Sequence, residues 1–299
     1  MEKYVLKNPD SFNLEHIFEC GQCFRWNKID DQKYIGVINN AVVQVQKSGN
    51  DFIFTGEFLN ETKDNNKKGI SFKNLITYYF DLETDYSKYK EKLSKVDSYL
   101  SESIKFGEGI RILNQDLWET IISFIISANN NIPRIKKIIE RVSENYGNEI
   151  IFEGKKYYTF PTPEALSKAS VKDLRNMGLG FRDERVFNTT KKILSKEIDL
   201  ERIKKLDNTN EMREELLRLD GVGPKVADCI LLFSLKRIDV FPIDVWIRRV
   251  MNDLYIHNEN EEKVSKNEIQ KLAEEKFLGF EGIAQQYLYY WSREELNNT

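Results

Sequence analysis

The segment Leu219 to Asp244, LDGVGPKVADCILLFSLKRIDVFPID, constrains this chain more than any other stretch. Gly221-Val222-Gly223-Pro224 lies between two apolar patterns of helical spacing, Glu211 to Leu219 and Lys225 to Lys236. The chain must reverse tightly there, and glycine admits the positive φ angles and close backbone approach that a reversal needs. The N–H groups of such a turn, with those opening the next helix, form an anion site suited to a phosphate. Gly221 and Gly223 are the residues of that site, and Lys225 falls in the first turn of the second helix. L-x-G-V-G-x-K-x-A between matching helices is more specific than an isolated Gly-x-Gly.

A chain of 299 residues can bury a substantial core over two or three domains. No apolar run reaches the roughly eighteen residues of a membrane span. The opening MEKYVLKNPD lacks the apolar centre of a secretion signal, so an intracellular protein off the membrane is expected. Cys20, Cys23 and Cys229 are too few for a disulfide framework and fit a reducing compartment. Cys20-Gly21-Gln22-Cys23 has redox or zinc spacing, but zinc takes about four ligands and Cys229 and His257 are remote in sequence. A redox pair normally opens a helix, whereas Phe24-Arg25-Trp26 reads as strand. The net charge of −3 argues weakly against nucleic acid, because a total hides its distribution. Residues 101–250 hold 26 basic and 23 acidic side chains, a mild local positive balance.

Strand signals concentrate in the first hundred residues. Lys33 to Ile38, Val42 to Gln46 and Asp51 to Thr55 are rich in aromatic and β-branched residues, separated by Asn39-Asn40 and Ser48-Gly49-Asn50. They predict an antiparallel meander with one buried face, followed by a polar loop from Asn60 to Lys68. From about Asp97 the periodicity is helical. Helices are expected over Asp116 to Ala128, Ile132 to Tyr146, a short one after Pro161, Arg182 to Ser195, Asp244 to Leu254 and Ile283 to Glu295, with His257 to Asn267 polar. The fold class is therefore α+β: an antiparallel sheet domain over 1–96, then a mainly helical domain over 97–299 with its hairpin at 211–236.

Lys225 on a solvated face would be an ordinary surface lysine. At a helix N-terminus, and partly buried, its charged form is disfavoured, and an amine depressed towards neutrality is a nucleophile that forms Schiff bases. Asp244 follows the apolar Val240-Phe241-Pro242-Ile243 and opens a new helix, so it can cap that helix. Capping also keeps a carboxylate ionised, able to stabilise positive charge on a sugar as a glycosidic bond breaks. Lysine plus aspartate suits removal of a base from a nucleoside.

These residues resemble the helix-hairpin-helix glycosylase superfamily, and within it the 8-oxoguanine DNA glycosylase/AP lyase family. The likeness runs through five ordered segments: GQCFRW (Gly21 to Trp26), SANNNIPR (Ser127 to Arg134), GLGFR (Gly178 to Arg182), GVGPKVADC and GIAQQYLYY (Gly282 to Tyr290). The resemblance implies a lesion-bearing duplex DNA as partner, Lys225 as the nucleophile at C1′, and Asp244 as the charge that positions and stabilises the sugar. It implies Gly21 as the carbonyl that accepts from N7–H of 8-oxoguanine, where guanine has an acceptor instead. Gln285 would read the pairing edge of the flipped base, Cys229 and Tyr289 would cover its faces, and Pro242 would shape the wall. Flipping is required because the reacting atom is unreachable inside the stack. Asn129 would fill the vacated space, Arg134 and Arg182 would donate to the orphaned cytosine, and Phe181 would wedge beside it.

Without the resemblance, Tyr289, Cys229 and Phe181 would pass as core residues, Asn129 as a helix end, and both arginines as solvated charges. Two departures stand out: Trp246 replaces a histidine that meets a phosphate in animal relatives, and Phe181 replaces a common tyrosine. The resemblance also implies a cation at the hairpin on the backbone carbonyls of Leu217, Leu219 and Val222, with no cofactor required. The endonuclease III branch adds a four-cysteine iron–sulfur cluster after its aspartate; no cysteine follows Cys229, so none is expected. A glycosylase for alkylated bases would lack Lys225, and a noncatalytic hairpin protein would need neither Lys225 nor Asp244. Monomeric action is expected, since no heptad seam is present.

Overall fold

The computed structural model describes residues 1–59 and 70–295. The expected loop from Asn60 to Lys68 lies outside the described residues. Strands β1 (Glu2–Leu6), β2 (Trp26–Asp30), β3 (Lys33–Ile38), β4 (Ala41–Ser48) and β5 (Asp51–Phe58) form one antiparallel sheet in the order β1-β5-β4-β3-β2, with helix α1 (Leu14–Phe18) between the first two strands. Ile38 pairs with Ala41 across Asn39-Asn40, and Ser48 with Asp51 across Gly49-Asn50. Asn39 and Gly49 take positive φ, as such short turns require. The sequence pattern marks β1 not at all and β2 only at Trp26. β2 exposes every residue after Trp26, so no alternation marks it, and Phe24-Arg25 lie before it rather than in it.

One face of the sheet packs Tyr34, Val43, Val45 and Phe54 against α2 (Phe72–Tyr79), while Phe18 stacks on Trp26 at 4.2 Å between ring centroids. The expectation of a single buried face fails for the central strands. A hairpin of β6 (Glu149–Phe152) and β7 (Lys155–Tyr158) packs Ile150 and Phe152 against Ile35, Val37 and Val42 on the other face. The nearly unbroken apolar runs of β3 and β4 are the sequence mark of that two-sided burial.

Helices begin earlier than the periodicity indicated: α2 and α3 (Tyr86–Leu93) both precede Asp97, each too short for a helical period to stand out. The helical part continues as α4 (Ser98–Phe106), α5 (Leu117–Ser127), α6 (Ile132–Tyr146), α7 (Pro163–Leu166), α8 (Val171–Asn176), α9 (Asp183–Leu194), α10 (Leu200–Ile203), α11 (Thr209–Leu217), α12 (Pro224–Ser234), α13 (Val245–Met251), α14 (Lys266–Phe277) and α15 (Glu281–Glu295). α14 was not foreseen, although Ile269, Ala273 and Phe277 recur at i, i+4 and i+8 and are buried. Asp116 caps α5, accepting from Glu119 N at 2.9 Å, and every residue from Leu117 to Ile126 except Glu119 is buried. Such an all-round apolar helix belongs at a core centre; α5 lies there, against α12. Among the described residues no helix is long and apolar enough to cross a membrane.

Two buried polar side chains tie segments distant in sequence together. Gln22 donates to the carbonyls of Ile17 at 2.9 Å and Arg111 at 2.8 Å, and accepts from Leu113 N at 2.8 Å. Arg111 reaches the Phe80 carbonyl at 3.0 Å and the Thr84 carbonyl at 2.8 Å. A buried amide with these partners loses little and fixes the loop that carries it.

Candidate active site and DNA interface

The hairpin forms as expected, α11 leading into α12 through residues 218–223. Gly221 takes φ +86, and a Cβ there would stand 2.9 Å from Arg185 Cδ and 3.1 Å from Ile125 Cγ2, so only glycine fits. Gly223 differs: its φ of −96 suits any residue, and nothing lies within 4 Å of a Cβ placed on it. Its missing side chain keeps open ground above the helix N-terminus, where an anion can approach. Leu219 O accepts from Val222 N at 3.2 Å, Thr189 Oγ donates to Asp220 O at 3.0 Å, and Lys192 Nζ donates to Arg218 O at 2.8 Å. Leu217 is exposed beside the turn.

Lys225 is the second residue of α12, with its Nζ 5.3 Å from the centroid of the Phe124 ring. Asp244 caps α13, its Oδ1 accepting from Ile247 N at 2.8 Å. One cavity is lined by Lys225, Asp244, Gly21, Cys229, Pro242, Gln285 and Tyr289, together with Phe124, Gln286, Cys20 and Phe233. Every catalytic and base-pocket residue expected from the sequence is thus in one place. The cavity holds only about 40 Å³, against the roughly 150 Å³ that accepts a benzene ring. Beside it opens a cleft of about 500 Å³, also lined by Lys225, Asp244, Gly21 and Tyr289, and further by Asn129, Trp246, Arg248 and Lys266.

The depressed amine expected for Lys225 is corrected. Burial does pull its pKa down, but Cys229 and Asp244 push it up, and the balance lies above the ordinary lysine value. Burial also pushes the Cys229 thiol up to about 11, against the pull of the neighbouring Lys225. Lys225 is therefore an ammonium in the resting site and must shed a proton before it can attack.

Gly21 takes φ +80, and a Cβ on it would stand 3.1 Å from Tyr289 Cε1. The flanking cysteines are buried, Cys20 Sγ donating to Ile17 O at 3.3 Å, and burial lifts Cys20 to about 12 and Cys23 well above the usual thiol value. Both are free thiols packed in the interior. Among the described residues no group of three or more His, Cys, Asp or Glu is placed to hold a metal. Gln285 is buried, and its Oε1 accepts from Gln286 Nε2 at 2.7 Å.

The residues expected around the orphaned base separate into two kinds. Asn129 is exposed in the left-handed region at φ +51, just past the end of α5. Arg134 is exposed, with one 3.4 Å hydrogen bond to Gly178 O. Phe181 is 54% exposed, with the Arg182 guanidinium 4.2 Å and that of Arg185 5.1 Å from its ring, so it is not the core aromatic it could have been. Arg182 faces inward: 2% exposed, it donates to the carbonyls of Ala128 at 2.7 Å, Asn129 at 2.6 Å and Leu179 at 3.2 Å. An open base-reading role is therefore not what its resting geometry presents; it holds the Asn129 turn. Trp246 is half-buried in the cleft, with the Arg249 guanidinium 5.5 Å from its ring.

Residues 4–121 match the model of the 8-oxoguanine DNA glycosylase N-terminal domain, and residues 122–275 that of the HhH-GPD superfamily of base excision DNA repair proteins. A structure of the Clostridium acetobutylicum 8-oxoguanine glycosylase/lyase, in complex with double-stranded DNA containing cytosine opposite 8-oxoguanine, superposes with a TM-score of 0.88. It is 43% identical and covers 100% of this chain and 98% of that one. The N-glycosylase/DNA lyase of Saccharomyces cerevisiae is 31% identical over 81% of this chain and 68% of its own length. A probable N-glycosylase/DNA lyase of Methanothermobacter thermautotrophicus is 38% identical over 60% of this chain. The match spans 63% of that archaeal protein's length. Two domain matches in sequence order, with a superposition over the whole chain, place this protein in the 8-oxoguanine DNA glycosylase/lyase family of the HhH-GPD superfamily.

Proposed function

We propose that the protein flips 8-oxoguanine from duplex DNA, excises it through Lys225 and then nicks the strand. The observation that carries this reading is the single cavity in which Lys225 and Asp244 meet the five expected base-pocket residues. In the proposed reaction the unprotonated Lys225 amine bonds to C1′ as the glycosidic bond breaks, and the bonding pair leaves with the base. Asp244, fixed by the Ile247 N–H, stabilises positive charge developing on the sugar. Loss of the ring oxygen–C1′ bond gives the Schiff base; removal of a C2′ proton then expels the 3′-linked phosphate.

Lesion specificity is assigned to the Gly21 carbonyl, which accepts N7–H and repels the N7 lone pair of guanine. Gln285 reads the pairing edge, Cys229 and Tyr289 cover the faces, and Pro242 bounds the pocket. Because the cavity is far smaller than a purine, entry of the base must open it, and binding energy spent there adds selectivity. Asn129 occupies the vacated stack, Phe181 wedges beside it and Trp246 flanks the backbone. The preference for cytosine is assigned first to Arg134, with Arg182 holding the turn behind it. Gly221 and Gly223 admit a backbone phosphate, and the carbonyls of Leu217, Leu219 and Val222 are donors suited to a hard cation bridging to it. The protein is proposed to act as a monomer within the cell.

The test is single-turnover release of free base from duplexes carrying 8-oxoguanine opposite each of the four bases, beside an undamaged duplex. Release of 8-oxoguanine, fastest opposite cytosine and lost in Lys225→Gln, supports the reading. Equal release of guanine and 8-oxoguanine would remove the role given to Gly21.

A further inference from the structure

The cleft beside Lys225 carries two cations with no role in the reading above, Arg248 and Lys266. They come from different helices, α13 and α14, and converge on the wall that also holds Asp244 and Trp246. Arg248 is half-buried, and its Nε is fully enclosed with no hydrogen-bond partner among the described residues. Its neighbour is the contrast: Arg249 pairs with Glu261 at 3.3 Å and stacks near Trp246. The Arg248 guanidinium lines the cleft without a carboxylate partner among the described residues, so its charge is available to an anion that enters there. The guanidinium fork matches phosphate oxygens bidentately, and a flexible ammonium beside it adds a point charge. Among the residues lining this cleft, Asp244 is the one acidic side chain, and it is engaged as a helix cap.

We propose that Arg248 and Lys266 form a phosphodiester-binding subsite for the DNA backbone next to the nucleotide held at Lys225. This rests on the reading of the site as a DNA glycosylase. The ligand chemistry is one phosphodiester anion, and the phosphate on either the 5′ or the 3′ side of the flipped sugar supplies it. On the 3′ side that phosphate is the group expelled in the β-elimination, and Arg248 would then also stabilise its departing charge.

The test is affinity for a duplex carrying a tetrahydrofuran abasic analogue, which leaves no glycosidic bond to break, measured by fluorescence anisotropy over a range of salt. Arg248→Gln is expected to weaken binding about tenfold and to lower the slope of log affinity against log salt by about 0.9, one phosphate contact. Arg248→Lys should restore most of the slope, and the exposed Lys266→Gln, which does not threaten folding, should give a smaller loss in the same direction. Neutral methylphosphonates placed singly on either side of the analogue then locate the contact. At the contacted position the wild type loses affinity and Arg248→Gln loses none further. An unchanged slope in both variants, or methylphosphonates that cost Arg248→Gln as much as wild type at both positions, overturns the subsite. Failure of the wild type to release 8-oxoguanine would instead overturn the glycosylase reading, whatever the salt slopes show.

Discussion

Gly221 and Gly223, two positions apart, differ in their surroundings: the first takes a positive φ in an occupied place, the second faces open space. Gly221→Ala meets both a left-handed φ and an occupied site, and is expected to cost about 1–2 kcal/mol of stability in urea unfolding. Gly223→Ala meets neither, so its stability should stay within about 0.5 kcal/mol of wild type while DNA affinity falls. Equal destabilisation by both would remove the assignment of Gly223 to ligand approach. Lys225 gives a prediction of definite sign. Its ammonium is held above the ordinary value near 10.4, so the reactive fraction rises about tenfold per pH unit through the neutral range. Single-turnover excision should climb with pH without levelling off below about pH 9; a plateau near pH 7 would mean a depressed amine in the DNA-bound site. Lys225 and Asp244 stood out in the sequence because a glycine hairpin and a helix start mark them, whereas Gly21 entered only through the family resemblance. The protonation of Lys225 was not legible, because it depends on Cys229 and Asp244, which only the fold brings near.

Among elements, the turn after α5 was legible as a break, from three asparagines in a row, but not its support. Arg182 and Arg134 read alike in sequence and differ in the fold, since side-chain direction at the short helical turn Gly180–Arg182 has no sequence signature. Arg182→Ala strips three carbonyls of their donor and should cost about 2–4 kcal/mol. Arg134→Ala should leave stability within about 0.5 kcal/mol and reduce the preference for cytosine. Thermal melts and excision opposite each base separate the two, and a stable Arg182→Ala that loses only base preference would reverse the assignment. Glu119, the one charged residue of α5 and mostly covered, lies 3.8 Å from Arg25, yet burial outweighs that cation and lifts its pKa to about 7. A raised acid pKa favours the folded state most below its unfolded value near 4.3, and that stability is lost as pH rises through about 7. The loss is on the order of 3–4 kcal/mol. Glu119→Gln should flatten the stability profile between pH 5 and 8; an unchanged slope would place the titration elsewhere.

At the scale of the whole molecule, the α+β division was legible from the change in hydrophobic period, while the interlocking of its parts was not. We propose residues 1–96 as the unit that delivers Gly21 and residues 97–299 as the one that delivers Lys225 and Asp244. Each lends to the other's core: Leu113 packs with the sheet unit, and Cys20 and Phe24 with the helical one. The β6–β7 hairpin, which covers the far face of the sheet, left only the apolar runs of β3 and β4 as its trace. The proposed base pocket depends on this interlocking, because Gly21 and Tyr289 line it from different units. The central claim is that Lys225, in that assembled pocket, bonds covalently to the damaged nucleotide. Borohydride trapping on a duplex with 8-oxoguanine opposite cytosine tests it most directly. The account predicts a protein–DNA adduct that maps to Lys225 by peptide analysis and is absent in Lys225→Gln. Base release at the wild-type rate without any adduct would contradict it and make a water molecule the nucleophile.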